Sequence, residues 1–332
     1  MADIERFNAD GLAFEARYAE TMETVILPAL AQRRRIVPVR GDGDRPLYVE
    51  AFDADAPRGT VTLVHGFTEN AYKYSELTYS LLQNGFSVVA YDHRGHGRSW
   101  RDPAISDLSL THVDRFDEYV SDLKCVCEQA LAAMPRPWTV FCHSMGGAVT
   151  GLFLENHPGT FARAAMCAPM IAARRNGMSM GAARAVAAVG KATAGGKARV
   201  VGGKPYAGPE DFDTSAATSR ARFDWYDAVK AATPEYQNNG PSFGWLVEGL
   251  RVTGRLLAPG APERIDIPVT LYTAALDGSV LPEEQKRFID RVKQGRHVTV
   301  ENARHEIFRS TDDTLFPWWH DVLTFLKSAS PQ

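Results

Sequence analysis

Between residues 60 and 170 the chain alternates short runs of β-branched and apolar residues with longer amphipathic stretches. TVTLVHG, SVVAYD, WTVFCHS and ARAAMCAP read as strands, and the stretches over about 71–84, 112–134 and onward from 145 read as helices. This alternation predicts a mostly parallel central sheet flanked by helices on both faces, an α/β fold. Ahead of it, RRRIVPVR (33–40) and PLYVEAFD (46–53), parted by the turn-rich GDGDR, predict an antiparallel hairpin that opens the folded part. After Pro169 the rhythm stops. Residues 171–264 hold an Ala/Gly-rich basic stretch, the aromatic-dotted ARFDWYDAV (221–229) and GPSFGWLVEGLRVTGRLL (240–257). It resumes at PVTLYTAALD (268–277), followed by a helix over 282–293, the strand HVTVENA (297–303) and a last helix over 314–327. The pattern thus predicts a core built from 1–170 and 265–332, carrying a mainly helical cap insertion over 171–264.

Composition narrows the partners. With 332 residues, 45% of them hydrophobic, the chain is long enough for one large core plus an insertion. A formal net charge of −3 provides no long-range positive field, and no nucleic-acid signature offsets it, so no nucleic-acid partner is expected. The start, MADIERFNAD, lacks the basic and apolar segments of a secretory signal, and no later run is long and apolar enough to span a bilayer. The expectation is a cytoplasmic chain whose membrane contact, if any, is at a surface. Its four cysteines, Cys125, Cys127, Cys142 and Cys167, are then expected as buried thiols and not disulfides. Cys125 and Cys127, two apart in a helical pattern, share no helix face and so make a poor metal site.

The candidate chemistry lies in PWTVFCHSMGGAVTGLF (137–153). A strand ending at a serine, followed at once by glycines and a helix, is the arrangement that presents a nucleophile on a sharp turn. Ser144 falls at that turn, with Gly146, Gly147 and Ala148 small enough to let the helix pack close to the sheet. Cys142 stands where the pattern wants glycine. A small, readily buried side chain is tolerated there, and it precedes the turn, pointing into the sheet without a helix N-terminus to stabilise a thiolate. The serine needs a base, and the base an orienting carboxylate, in the chain order Ser, Asp/Glu, His, each at the C-terminal edge of a strand. Asp277 and His305 meet both conditions. His297 begins its strand at the wrong edge, His320 lies within a helix, His157 sits beside the helix-ending Pro158, Asp266 precedes its strand, and His143 is expected to pack as a support. A developing oxyanion requires two backbone N–H donors, expected from Met145, directly after the serine, and Phe67, in the loop VHGFTEN.

Taken together, HGFTENAYKYSELTYSLLQNGFSVVAYDHRGHGRSW, CHSMGG, ALDGSV and ARHEIFRS resemble the serine α/β-hydrolases of the lysophospholipase and monoacylglycerol lipase group, most closely its bacterial lysophospholipases. The likeness also takes in DRFDEYVSDL (114–123) and SFGWL (242–246). It implies the α/β-hydrolase fold, a triad of Ser144, Asp277 and His305, and oxyanion donors at Phe67 and Met145. It further implies hydrolysis of the acyl ester of a single-chain lipid through an acyl-enzyme, without metal or organic cofactor. DHRGHGRS (92–99) is expected to be a structural turn in which Asp92 and Arg94 hydrogen-bond locally.

Residues 171–209 contain Arg174, Arg175, Arg184, Lys191, Lys197, Arg199 and Lys204 and no Asp or Glu. With Met170, Ile171, Met178, Met180 and Val186 interleaved, the stretch is expected either to shelter an acyl chain and meet phosphate head groups or an anionic membrane, or to be a solvated helix face or a mobile Ala/Gly-rich segment. GGKARVVGGKP has the wrong spacing for a phosphate loop, with Pro205 where the magnesium-binding hydroxyl would stand. The alternatives to a lipid esterase are a small-molecule carboxylesterase, an aminopeptidase of the same fold, and a non-catalytic ligand receptor on a hydrolase scaffold.

Overall fold

The hydrophobic runs pair into one twisted sheet. In this computed structural model, which describes residues 6–175 and 177–329, the strands are β1 (Arg34–Gly41), β2 (Arg45–Phe52), β3 (Thr60–Val64), β4 (Ser87–Tyr91), β5 (Trp138–His143), β6 (Arg163–Cys167), β7 (Val269–Ala274) and β8 (Gly295–Val300). The first five residues of the acidic start and the last three of the expected core range lie outside the described residues. The strand order is β1-β2-β4-β3-β5-β6-β7-β8. Strand β2 runs antiparallel to both neighbours and all other pairs are parallel. Strands β3, β4 and β5 are buried along their whole length, which is why they read as continuous apolar runs instead of alternating ones.

Beyond the hairpin the α-helices are α1 (Ser75–Gln83), α2 (Asp117–Gln129), α3 (Met145–Asn156), α4 (Met180–Ala194), α5 (Arg220–Ala232), α6 (Phe243–Leu256), α7 (Pro282–Ile289) and α8 (Asp312–Lys327). Leu123 and Val126 of α2, Val149 and Leu152 of α3 and Phe288 of α7 pack in one core cluster. Leu77 and Leu81 of α1 and Trp319 and Leu323 of α8 pack in a second. Helix α2 begins five residues later than its amphipathic pattern suggests, because Leu110–Thr111 pair with Gly240–Pro241 and hold the chain extended just before it. The helix expected over 282–293 ends at Ile289, and the strand expected over 297–303 runs from Gly295 to Val300.

The hairpin does not open the folded part. Residues 15–33 are almost wholly helical ahead of it, and Leu12, Ala13, Tyr18, Met22, Ile26 and Leu30 are buried against the second cluster. Met22, Ile26 and Leu30 follow at four-residue spacing, which is the local signal for this segment.

Between β6 and β7 the chain leaves the sheet and forms α4, α5 and α6. Their attachment is unequal. Helix α5 is fastened by Arg222, whose side chain is 0% exposed. Its guanidinium donates to Glu76 Oε2 at 3.2 Å, Asp312 Oδ1 at 2.9 Å, Ser310 O at 3.1 Å and Ala13 O at 2.7 Å. Helix α4 buries only Ala183 and Ala187, which pack against Val247 and Leu250 of α6. Met178, Val186, Val189 and Val201 stay exposed, whereas Met170 and Ile171, expected among the apolar residues of the insertion, are buried in the main core. The basic stretch is also less one-signed than its composition suggests. Lys197 pairs with Asp102 at 2.7 Å and Arg199 with Asp107 at 2.6 Å, both acids lying on the loop before α2.

All four cysteines are free, and Cys125 is half-buried where full burial was expected. Among the described residues no helix is long and apolar enough to cross a membrane. Removing one partner of a buried ion pair strands the other charge, so Arg222→Ala is expected to destabilise the fold by about 3–5 kcal/mol, read by chemical denaturation.

Candidate active site

Ser144 stands between β5 and α3 with φ +48° and ψ −116°, a conformation that side-chain-bearing residues avoid. Hydrogen bonds on every side hold it there. Its N–H donates to Cys167 O at 3.1 Å, and its carbonyl accepts from Gly147 N at 2.9 Å and Met170 N at 2.8 Å. Gly146 is required by close approach: a Cβ there would lie 2.2 Å from the Val64 carbonyl oxygen at the end of β3. Cys142 is fully buried, and its Sγ faces the Ala165 carbonyl of β6 at 3.8 Å. Burial pushes its thiol up to about 12, so it is a packed neutral group.

The chain order of the other candidates becomes a line of hydrogen bonds. His305 Nε2 lies 2.8 Å from Ser144 Oγ, and His305 Nδ1 lies 2.8 Å from Asp277 Oδ2. Asp277 follows β7 and His305 follows β8, at the same sheet edge as Ser144. Asp277 Oδ1 accepts from the amides of Ser279 at 2.7 Å and Val280 at 3.0 Å. Burial works against the charge of Asp277, but the hydrogen bond and proximity of His305 and these two amides outweigh it and hold the carboxyl below its ordinary range. An ionised Asp277 accepts a hydrogen bond from Nδ1–H, which leaves the Nε2 lone pair facing the serine hydroxyl.

Phe67 lies in the loop after β3, and Met145 is the first residue of α3. Among the described residues, neither backbone N–H donates to another group of the protein. The Phe67 ring packs on Trp245 of α6, with centroids 4.2 Å apart. The rejected histidines lie elsewhere: His297 contacts Thr273, His320 contacts Asp10, and His157 ends α3. In DHRGHGRS, Asp92 accepts from the amides of Arg98 at 2.8 Å and Ala71 at 2.7 Å. The Arg94 carbonyl meets His96 Nδ1 within the turn at 3.0 Å, but its side chain does not bond locally. It reaches α2, donating to Asp122 at 2.6 Å and Glu118 at 2.7 Å, because both acids project toward its turn from the next helix.

Sequence reasoning missed a buried ionic group beneath the site. Glu69 Oε2 accepts from Gly66 N and Tyr74 Oη, each at 2.6 Å, and Lys73 Nζ lies between Glu69 Oε1 at 3.1 Å and Glu306 Oε1 at 2.5 Å. Glu306 also accepts from Arg309 at 2.6 Å. His143 contacts Glu69 and the His305 carbonyl, each at 3.1 Å. The available signal was the i, i+4 spacing of Glu69 and Lys73, which equally fits an exposed helix pair.

Cys142→Gly is expected to cost about 1–2 kcal/mol of stability and to leave kcat unchanged, because the lost thiol packs against β6 and not the serine. Gly146→Ala displaces α3 from β3, and a displacement of this kind is expected to lower kcat/KM by about 100-fold or more; steady-state kinetics on both variants checks this.

The family described as serine aminopeptidase, S33, matches residues 55–312. Lysophospholipase L2 of Escherichia coli K12 is 30% identical over 306 residues, covering 86% of each chain. A monoacylglycerol lipase of Mycolicibacterium smegmatis is 32% identical over 116 residues, 35% of this chain and 39% of that one. Among solved structures, a soluble variant of the Saccharomyces cerevisiae monoglyceride lipase superposes with a TM-score of 0.70 at 20% identity, covering 90% of this chain and 97% of that one. The Paleococcus ferrophilus monoacylglycerol lipase superposes with a TM-score of 0.65 at 24% identity, covering 86% and 99%. These likenesses establish the α/β-hydrolase fold, and the match over most of its length places the chain in the serine aminopeptidase S33 family of hydrolases.

Proposed function

We propose that this protein is a serine carboxylic ester hydrolase cleaving the acyl ester of single-chain lipids, lysophospholipids or monoacylglycerols, with Ser144, His305 and Asp277 as its catalytic triad. The observation that carries the reading is the unbroken hydrogen-bonded line from Asp277 through His305 to Ser144 Oγ. Ser144 Oγ attacks the acyl carbonyl carbon while His305 Nε2 takes its proton. The oxyanion is received by the amides of Phe67 and Met145. Collapse expels the alcohol, which takes the proton from His305, and water activated by the same nitrogen then hydrolyses the acyl-enzyme. The chemistry requires no cofactor.

We assign residues 171–264 as the cap over a core of 1–170 and 265–332. A cleft of about 550 Å³ in the cap is walled by Met178, Val186, Val189, Phe243, Leu246 and Leu250 among others. Among the described residues its charged lining is Arg174 and Arg175. Apolar walls suit an acyl chain, and two arginines suit an anionic head group and disfavour the ammonium of a peptide substrate. The exposed Met178, Val186, Val189 and Val201 beside these arginines also support peripheral contact of a cytoplasmic enzyme with an anionic membrane surface.

A fluorophosphonate probe is expected to label the wild-type chain and not Ser144→Ala; an unlabelled wild type would instead favour the ligand-receptor alternative. Each added methylene in a matched ester series should contribute about 0.8 kcal/mol, roughly fourfold in kcat/KM, until the cleft is filled. A preference for acetyl or butyryl esters over long chains would exclude the lipid substrate.

A further inference from the structure

We propose that His143 is a positioning residue held as a doubly protonated imidazolium, a cationic tie between the loop that carries His305 and the loop that carries Phe67. The proposal rests on the triad reading above and adds a residue to it that touches neither substrate nor Ser144 Oγ.

The geometry is a matter of protons. His143 Nδ1 lies 3.1 Å from Glu69 Oε2, and Nε2 lies 3.1 Å from the His305 carbonyl oxygen. Both partners are acceptors. A neutral imidazole has a single N–H, so either tautomer would set a lone pair against a carboxylate or a carbonyl. His143 is 1% exposed, which leaves no solvent to relieve that clash.

The ion pairs around the ring agree. Two carboxylates, Glu69 and Glu306, lie in this region with two permanent cations, Lys73 and Arg309. Of the two carboxylates, Glu69 is the one that reaches the imidazole, and its buried charge favours the protonated ring. The groups facing the ring come from each element packed on it: Glu69 and His65 from the loop after β3, Lys73 and Tyr74 beyond it, Cys167 from β6, and His305 and Glu306 from the loop after β8. Burial lowers His65 to about 4 and raises the Cys167 thiol, so both are neutral. Burial also disfavours charge on His143, but Glu69 and, less strongly, Glu306 prevail over it and over Lys73, and His143 titrates above its ordinary value.

One oxygen thereby spaces both halves of the site. Glu69 Oε2 receives His143 and the Gly66 amide, directly before Phe67, while the other edge of the His143 ring holds the backbone of His305. Gly66 permits this stacking, since a Cβ there would lie 2.9 Å from His143 Nδ1. As pH rises through the raised value of His143, one proton leaves, one of the two bonds becomes a repulsion, and the base loop loosens. The consequence is an alkaline limb in kcat.

The direct test is ¹⁵N NMR of wild-type protein labelled in its histidine rings, with the His143 signals assigned by their loss in His143→Gln. Two protonated nitrogens are expected at about pH 6.5, where an ordinary imidazole is half-neutral; a single neutral tautomer overturns the proposal whether or not any variant folds. His143→Gln is expected to lower kcat by about 10- to 100-fold with KM nearly unchanged, and to abolish the alkaline limb. An unchanged kcat, or an alkaline limb that persists in this variant, overturns the positioning role. Failure of the wild type to react with a fluorophosphonate would instead remove the triad reading and leave the protonation result standing.

Discussion

The backbone of Ser144 is the constraint on which the rest of the structure turns. A non-glycine residue at positive φ persists only where its surroundings over-determine it, and here they come from three directions. Strand β5 delivers the chain from inside the sheet, the glycine at 146 allows α3 to begin against the carbonyl of Val64, and the chain beyond β6 returns an amide to the Ser144 carbonyl. The same packing leaves the Met145 amide at the start of a helix, where an N–H has no intrahelical partner. The strain and the unpaired donor are two results of one local arrangement.

Around that turn the architecture distributes work by depth. The groups assigned to bond making and proton transfer sit at the sheet edge, where loops after β5, β7 and β8 converge. Beneath them lies an ionic layer in which Glu69, Lys73, Glu306 and Arg309 pair with one another. Such layers are costly to dehydrate and hold their shape only when every member is paired. This makes them suited to fixing loop separation, which matters more to proton transfer than to stability.

Much of the fold was legible because it is written in local periodicity. Buried strands of a parallel sheet produce short apolar runs, and the linear order of Ser144, Asp277 and His305 follows from where such runs end. What escaped was long-range. The N-terminal helical segment carries a correct four-residue spacing, but Pro28 interrupts its pattern and its partners lie far along the chain. Arg94 suggested a local turn residue because its acids are on α2, 24 and 28 residues away. Lys197 and Arg199 suggested open basic charge because Asp102 and Asp107 lie outside the insertion that composition was averaged over. In each instance the residue type was informative and its partner was not, since pairing is decided by the assembled fold.

The anchoring of α5 bears on how the fold is built from parts. Arg222 donates one hydrogen bond to the N-terminal segment at Ala13, two to α1 at Glu76, and one each to Ser310 and Asp312 at the start of the last helix. The helices between β6 and β7 are therefore not a module set on a finished core. Exchanging them between relatives means transferring a socket formed by three distant stretches of chain, whereas α4 rests on α6, through Ala183, Ala187, the close approach of Gly190 to Phe243 and the bond from Arg184 to the Leu250 carbonyl. A change in α4 is thus felt first by α6, and a change in α5 by the whole scaffold.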